Sequence, residues 1–424
     1  MSTLSTAPDD VLLIVFETII GPATLPWPTA EYSPERAIAP FTLAAVCQRW
    51  RSLAQATPTI WSYFGFPPEL KLHTQHLKRL DILVSLAKNV TIDVLFECDG
   101  WRPDTAQLWN RLTLLMAQWR TAWITISDGF KNPFDPDLMP QILHRLKQLV
   151  LSCNFAHICL PNAPVMARLY LNCNSIDLQY SLPQLPSLRS LICLTAEQAT
   201  TESLCRSYAS QLVELCIVDD MVHGFSEPIH CLNLATLILD DALFIPQIHA
   251  PNLHKLAIRA HTLRGLGDTG FANVVHLVLY GDVHEQAADR LQKLRSIVTI
   301  SFAAPEPIES LCSWRSIHYT VTAGFFNQLA TVHPPIFPAL ESIHFGVAGS
   351  IIPFQSLLDF IESRNQVTEE DGDHAETNWQ RPSILKRVTM SPELEISMPQ
   401  WASTRLSIFS SLNLRLNEVP FSYS

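Results

Sequence analysis

The chain has 424 residues, 47% of them hydrophobic, enough to bury a large core but too many for one ordinary compact domain unless the architecture is elongated. Its formal net charge is −11, from 29 Lys and Arg against 40 Asp and Glu, which excludes attraction of the whole molecule to nucleic acid or to an anionic membrane; any basic site must be local. Residues 1–10 carry no Lys or Arg, and the apolar run Val11 to Phe16 is too short for a signal core or a membrane span, so a cytoplasmic or nuclear location is expected.

Thr6 and Asp9 have capping-box spacing, Pro8 suits a first helical turn, and Val11, Leu12, Val15, Phe16 and Ile19 share one face, which predicts a helix from about Pro8 to Ile20. Gly21 and four prolines make 21–39 a loop. Pro40 then opens a second helical pattern with Leu43, Val46, Cys47, Trp50, Leu53 and Ala54, closed by Thr57-Pro58, and Pro58 starts a short third helix through Ile60 and Trp61. Residues 1–64 read as one small helical module. In 65–140, helical periodicity over 73–88 and over Asp104 to Gln118 alternates with strand patterns at Val90 to Phe96 and Ala122 to Ile126.

From 141 to the end the pattern L-x-x-L-x-L, with conservative swaps, restarts at Leu146, Met166, Leu188, Leu212, Leu234, Leu253, Val274, Leu294, Trp314 and Leu340. That spacing fits the leucine-rich-repeat period of roughly 20 to 29 residues. Repeat positions 1, 4 and 6 are expected to face a solenoid core and the strands to form a parallel sheet, an α/β fold overall. Pro164, Pro186, Pro251 and Pro338 each stand two residues before position 1, marking where a strand begins. The Pro-rich segments between strands predict extended or 3₁₀ returns rather than long helices. Residues 366–382 form a polar, acidic loop, followed by one more strand near Leu385 to Met390 and a terminal cap over Leu406 to Leu416.

The string Ala7-Pro8-Asp9-Asp10-Val11-Leu12 up to Phe16, with Leu43 to Trp61 reading LAAVCQRWRSLAQATPTIW, resembles the F-box of fungal, basidiomycete-like F-box proteins, whose pattern is roughly LPxELLxxIF followed by VCRxWRxLAxxTPxLW. The second half matches closely. The first departs in Ala7 for Leu, Asp10 for Glu and Val11 for Leu, and the loop between the halves is longer than a minimal F-box requires. The resemblance implies a three-helix module that docks onto a Skp-family adaptor and through it a cullin, with leucine-rich repeats selecting a protein substrate. Pro8, Val11, Leu12, Val15, Phe16, Leu43, Val46 and Trp50 are then the adaptor-facing or module-core residues, two roles that sequence does not separate. The other reading of the same residues is a helical cap closing the end of a solenoid, on a scaffold or binding protein.

Catalytic and cofactor chemistry finds little support. Gly265-x-Gly267-x-x-Gly270 spells a dinucleotide fingerprint but precedes a strand, so no helix N-terminus would hold a pyrophosphate. Cys153, His157, Cys159 and Cys173 lack a structural zinc spacing, His73 and His76 lack a third ligand, and Asp219-Asp220 and Asp240-Asp241 recur at strand ends as turn residues do. None of the ten cysteines forms a C-x-x-C pair, so reduced, buried thiols are expected. A non-enzymatic chain without cofactor or metal is the expectation.

Repeat positions 2 and 3 carry Lys147, Arg168, Arg189, Lys255, Arg295 and Arg315 against Glu214 and Glu341, with His254 and His276 beside them. Two readings stand: chance charge on a solvated sheet face, or a basic strip that recruits an acidic or phosphorylated substrate segment by bidentate arginine contacts. Position 5 is expected to share the exposed face, yet it is mostly apolar: Val150, Tyr170, Ile192, Cys216, Ile238, Ala257, Val278 and Val298.

Overall fold

The computed structural model describes residues 7–21, 32–67, 73–98, 103–126, 142–153, 160–173, 182–194, 198–218, 225–240, 247–266, 271–303, 320–332, 335–346, 352–365, 383–391, 394 and 397–410. They fall into two compact units, Met1–Tyr208 and Ala209–Ser424.

In the first unit, α1 (Asp9–Ile20) buries Leu12, Phe16 and Ile20, spaced four apart on one face, and ends where Gly21 turns to φ +84° with its N–H on the Glu17 carbonyl. The next helix begins earlier than its apolar pattern. α2 spans Pro34–Val46 because Ser33 caps it, its hydroxyl accepting from the Arg36 N–H, and Pro34 takes the first turn; Pro40 lies inside the helix rather than at its start. The expected single helix is also broken at Cys47, which is extended and whose thiol accepts from the Trp50 N–H to start α3 (Gln48–Ala56). A 3₁₀ turn, Pro58–Trp61, follows, and the Trp61 indole N–H donates to the Ala54 carbonyl at 2.7 Å.

Six parallel strands follow, separated first by α4 (His73–Ala87) and α5 (Pro103–Thr113). They are β1 (Tyr63–Phe66), β2 (Ile92–Cys98), β3 (Trp119–Ile126), β4 (Gln148–Cys153), β5 (Arg168–Cys173) and β6 (Ser190–Cys193), paired in chain order. Helix α6 (Gln198–Tyr208) closes the unit. Apart from a one-residue shift between β2 and β3 at Ile92/Asp93, register is kept: Phe64, Val94, Ala122, Leu149, Leu169 and Leu191 stand side by side, all buried. The strands before Leu146 therefore already occupy the repeat geometry, and β1 is a strand that the alternation rule does not reveal.

The second unit repeats the plan with β7 (Glu214–Ile217), β8 (Ile229–His230), β9 (Thr236–Leu239), β10 (Ile248–His249), β11 (Lys255–Arg259), β12 (His276–Tyr280), β13 (Asp282–Val283), α7 (Glu285–Leu291), β14 (Thr299–Phe302), β15 (Thr320–Val321), α8 (Ala323–Thr331), β16 (Ser342–Phe345), α9 (Phe354–Asn365), β17 (Arg387–Met390) and α10 (Gln400–Ser410). The long ladder runs β7-β9-β11-β12-β14-β16-β17, all parallel, and aligns Leu215, Leu237, Leu256, Leu277, Ile300, Ile343 and Val388. Two short parallel pairs, β8 with β10 and β13 with β15, sit on the returns.

Three expectations need correction. The repeat at Leu294 is out of frame: Ile300 and Phe302 align with the neighbouring core residues, so position 1 is Ile297, and the register of β14 overrides the local L-x-x-L match. Since β14 pairs directly with β16, no strand stands between them for a repeat starting at Trp314, a stretch outside the described residues. Several returns are helical, because α6, α8 and α9 each carry an apolar stripe at helical spacing; Phe325, Phe326 and Phe360 join Phe302 and Phe345 in one ring cluster with centroids 5.1 to 6.4 Å apart. The extended type of return does occur at β8, β10 and the 3₁₀ turn Ala260–Gly265.

At the start of β2, Asp93 is fully buried and takes two bonds from Arg120 of β3, at 3.0 and 2.6 Å; burial raises its pKa, against the pull of that guanidinium. Removing one partner of such a pair strands the other charge. Arg120→Leu is expected to lower stability by about 3–5 kcal/mol, and the double change Asp93→Leu, Arg120→Leu to recover most of it in urea unfolding.

Candidate partner-binding faces

The eight residues assigned to the helical module separate into two sets. Leu12, Phe16 and Leu43 are buried and form its core. Pro8, Val11 and Val46 are exposed, and Val15 and Trp50 are half-buried, Trp50 meeting Phe16 edge to face at 5.0 Å. What holds the exposed set together is Arg49. Its guanidinium donates to Asp9 Oδ1 at 2.6 Å and to the Ala7 carbonyl at 2.5 Å, so the first turn of α1, with Pro8 and Val11, lies beside the first turn of α3, with Trp50. The pair is solvent-exposed and contributes orientation more than stability. Sequence reading missed Ile14 and Ile38, which are 63 and 53% exposed, and Ile19, expected on the face of Leu12 and Phe16, is 53% exposed. Their signal was available: Ile14 follows Val11 by three residues on α1, on the side opposite Leu12 and Phe16.

Of the six basic repeat residues, five are described. Lys147, Arg168 and Arg189 lie exposed on or just before three adjacent strands, β4, β5 and β6, of the first unit, Arg168 at position 3 and the other two at position 2 on the rim. Lys255 belongs to the second unit, where its ladder neighbour is His276. Arg295 drops out, because the corrected frame puts it in the turn before Ile297. Arg315 lies outside the described residues. Two basic residues were missed: Arg387, at position 3 of β17, and Lys386 beside it, which pairs with Glu341 at 2.7 Å. Leu385, Val388 and Met390 restart the repeat pattern in the strand expected after the acidic stretch 366–382.

Position 5 is the larger correction. Val150, Tyr170, Ile192, Cys216, Ile238, Ala257 and Val278 are at most 5% exposed, whereas Val298 falls at position 2 and is half-buried. Partners in a parallel ladder stand about 4.8 Å apart, so apolar side chains in register shield one another. Toward the end of the ladder position 5 turns polar, at Ser301, His344 and Thr389: Ser301 Oγ lies 2.8 Å from Nε2 of His276, at position 3 of β12, and His344 Nδ1 lies 2.7 Å from Thr389 Oγ1. Burial lowers the pKa of His276 to about 4, helped by Lys255 and His344, and burial lowers that of His344 too. Both imidazoles are neutral at pH 7.

Most members of the candidate catalytic groupings lie outside the described residues. Among the described residues no three His, Cys, Asp or Glu side chains come together to hold a metal. Cys153 and Cys173 are ladder partners with sulfurs 3.3 Å apart, while His157 and Cys159 lie outside the described residues. Gly267, Gly270, Asp219, Asp220 and Asp241 do as well, and Asp240 is buried against Arg259 at 3.1 Å. No protein-family model and no curated protein matches the chain.

The histidine environment gives a signed pH effect. The folded state holds the His276 proton less tightly than the unfolded chain does, so the associated stability is complete above pH 6.5 and is lost as pH falls toward 4. Acidification across that window should cost about 2 to 3 kcal/mol, and His276→Gln should flatten the dependence in thermal melts collected from pH 7 to pH 4.

Proposed function

We propose that the chain is the substrate-recognition subunit of an SCF-type cullin-RING ubiquitin ligase: residues 7–61 act as an F-box that docks on a Skp-family adaptor, and the leucine-rich repeats hold a protein substrate. The observation that carries this reading is the division of the helical module into a core of Leu12, Phe16 and Leu43 and an exposed aliphatic face of Pro8, Val11, Ile14 and Val46 beside Trp50. A module this small leaves apolar residues that its own core cannot cover, and a partner surface is the usual cover. The match of Leu43 to Trp61 to the F-box pattern names the partner.

In this role the chain performs no bond chemistry. It holds a substrate lysine near a ubiquitin-loaded enzyme supplied by the complex, raising the local concentration of the reacting groups. The parallel ladder is suited to that work, because it places side chains from strands far apart in sequence on one face at fixed spacing. Neither nucleic acid nor membrane is a proposed partner, no cofactor is invoked, and no helix among the described residues is long and apolar enough to cross a membrane. A cytoplasmic or nuclear location goes with the proposal.

A second reading is favoured by one observation. The module packs against the ladder edge, with Arg79 of α4 donating to the Ala37 carbonyl at 2.9 Å and Arg36 lying 4.3 Å over the Tyr63 ring of β1, as an end cap would. A cap on a scaffold protein needs no exposed aliphatic face, and this separates the two readings.

The test is binding of the full chain to a purified Skp-family adaptor. Val11→Asp with Val46→Asp, both at exposed positions, is expected to weaken binding at least a hundredfold with an unchanged melting temperature, whereas Leu12→Asp should disrupt the module itself. Equal adaptor affinity in the wild type and the double variant, or no binding at tens of micromolar, contradicts the assignment and leaves the scaffold reading.

A further inference from the structure

Two returns in the second unit carry the same short string. Residues 229–234 (IHCLNL) and 248–253 (IHAPNL) both read I-H-x-x-N-L, and each leads into a strand of the long ladder through the leucine at position 1, Leu234 or Leu253. The strings open as β8 and β10, which pair in parallel with Ile229 against Ile248 and His230 against His249. Alternation decides what each residue does. Ile229 and Ile248 face the core and are 3 and 2% exposed, so the two histidines turn the other way, and both are exposed.

The backbone around the pair is fixed. The Cys231 N–H donates to the His249 carbonyl at 2.9 Å, and the turns that follow are closed by the Leu234 N–H on the Cys231 carbonyl and the Leu253 N–H on the Ala250 carbonyl. Asn252 Nδ2 donates to the Leu232 carbonyl at 2.8 Å, which ties the second return to the first. Two imidazoles therefore project side by side from rigid neighbours, with ring centroids 5.2 Å apart and planes inclined at 66°. Neither makes a hydrogen bond or an ion pair among the described residues.

That spacing suits a shared metal ion. Zinc about 2.0–2.1 Å from one nitrogen of each ring, at a tetrahedral angle, sets two imidazole centroids roughly 5 Å apart. Imidazole nitrogens suit zinc, copper and nickel, whereas magnesium and calcium call for oxygen donors. An edge-to-face ring contact alone is the alternative, and it carries no metal dependence.

We propose that His230 and His249 together bind one divalent transition-metal ion of the zinc class, each through one ring nitrogen, with water filling the remaining positions. The ion clips one return to the next. Ladder register brings the two side chains together only in the folded chain, so the ion binds that state preferentially and stabilises it. The site shares no residue with the helical module or with the basic repeat residues, and it stands or falls separately from the ligase assignment.

The experiment titrates Zn²⁺ into the full chain by calorimetry, with Mg²⁺ in parallel, and records melting temperatures with and without zinc. His230→Ala and His249→Ala, both at exposed positions, are expected to leave the metal-free melting temperature unchanged. Loss of an outer partner of a metal ligand already costs about 10–100-fold in affinity, so loss of either ligand should weaken zinc binding at this site at least tenfold and remove the zinc-dependent rise in melting temperature. Zinc held elsewhere, by thiols, would be the same in wild type and variants, and the comparison isolates this pair. Equal zinc affinity and stoichiometry in the wild type and either variant, magnesium binding as tight as that of zinc, or a zinc-dependent rise in melting temperature that survives both substitutions would each overturn the proposal.

Discussion

Each strand of the long ladders is four to eight residues long and has no stable existence alone; what makes it a strand is the strand beside it. Parallel pairing supplies the backbone partners, and exact register puts Leu149 against Leu169 and Leu191, or Leu237 against Leu256 and Leu277, so that one repeat's core residue is walled by the next. A slip by one residue would turn every leucine to the wrong face. The remaining features follow from this constraint. Proline marks the turn before position 1 in four repeats, returns vary freely in structure, and Asp93 meets Arg120 at a strand start, where a one-residue register shift between β2 and β3 sets Arg120 outside the ladder pairing.

The same constraint explains how the faces acquire chemistry. Residues distant in sequence become neighbours, as His276 and Ser301 do diagonally across β12 and β14, and burial in the stack then sets the ionisation of the imidazole. The helical module obeys different physics. With three short helices and little volume, it buries Leu12, Phe16 and Leu43 and leaves Val11, Ile14 and Val46 outside, and its two N-terminal helix ends are held in place by a single exposed arginine, Arg49. An apolar surface oriented by an exposed ion pair is better explained by a partner than by stability.

Period-based reading found the elements whose pattern is local. The leucines at positions 1, 4 and 6 announced the parallel sheet, and the 3.6-residue stripes announced α1, α4 and α5. It failed where a second interaction outvotes the pattern. Ser33 and Pro34 start α2 before any apolar stripe, and Cys47 breaks a stripe that runs on through Trp50. Leu294 satisfies the repeat motif by chance, while register selects Ile297. Tyr63 to Phe66 is four residues with a glycine and no alternation, and it is a strand only because β2 pairs with it. Of the candidate site, the residue types on the module were legible, but their division into core and surface depended on how three helices cross. Of the expected basic residues, Lys147, Arg168 and Arg189 stay together on adjacent strands, Arg295 is out of frame, and the apolar position 5 expected beside them is buried.

In the proposed role the helical module, and not the ladder, meets the adaptor. Hydrogen-exchange mass spectrometry of the full chain with and without a purified Skp-family adaptor distinguishes the two. Adaptor-dependent protection is expected only in peptides within 7–21 and 32–61, with exchange in β4 through β17 unchanged. Protection spread along the ladder strands, or none in the three helices at saturating adaptor, would contradict it.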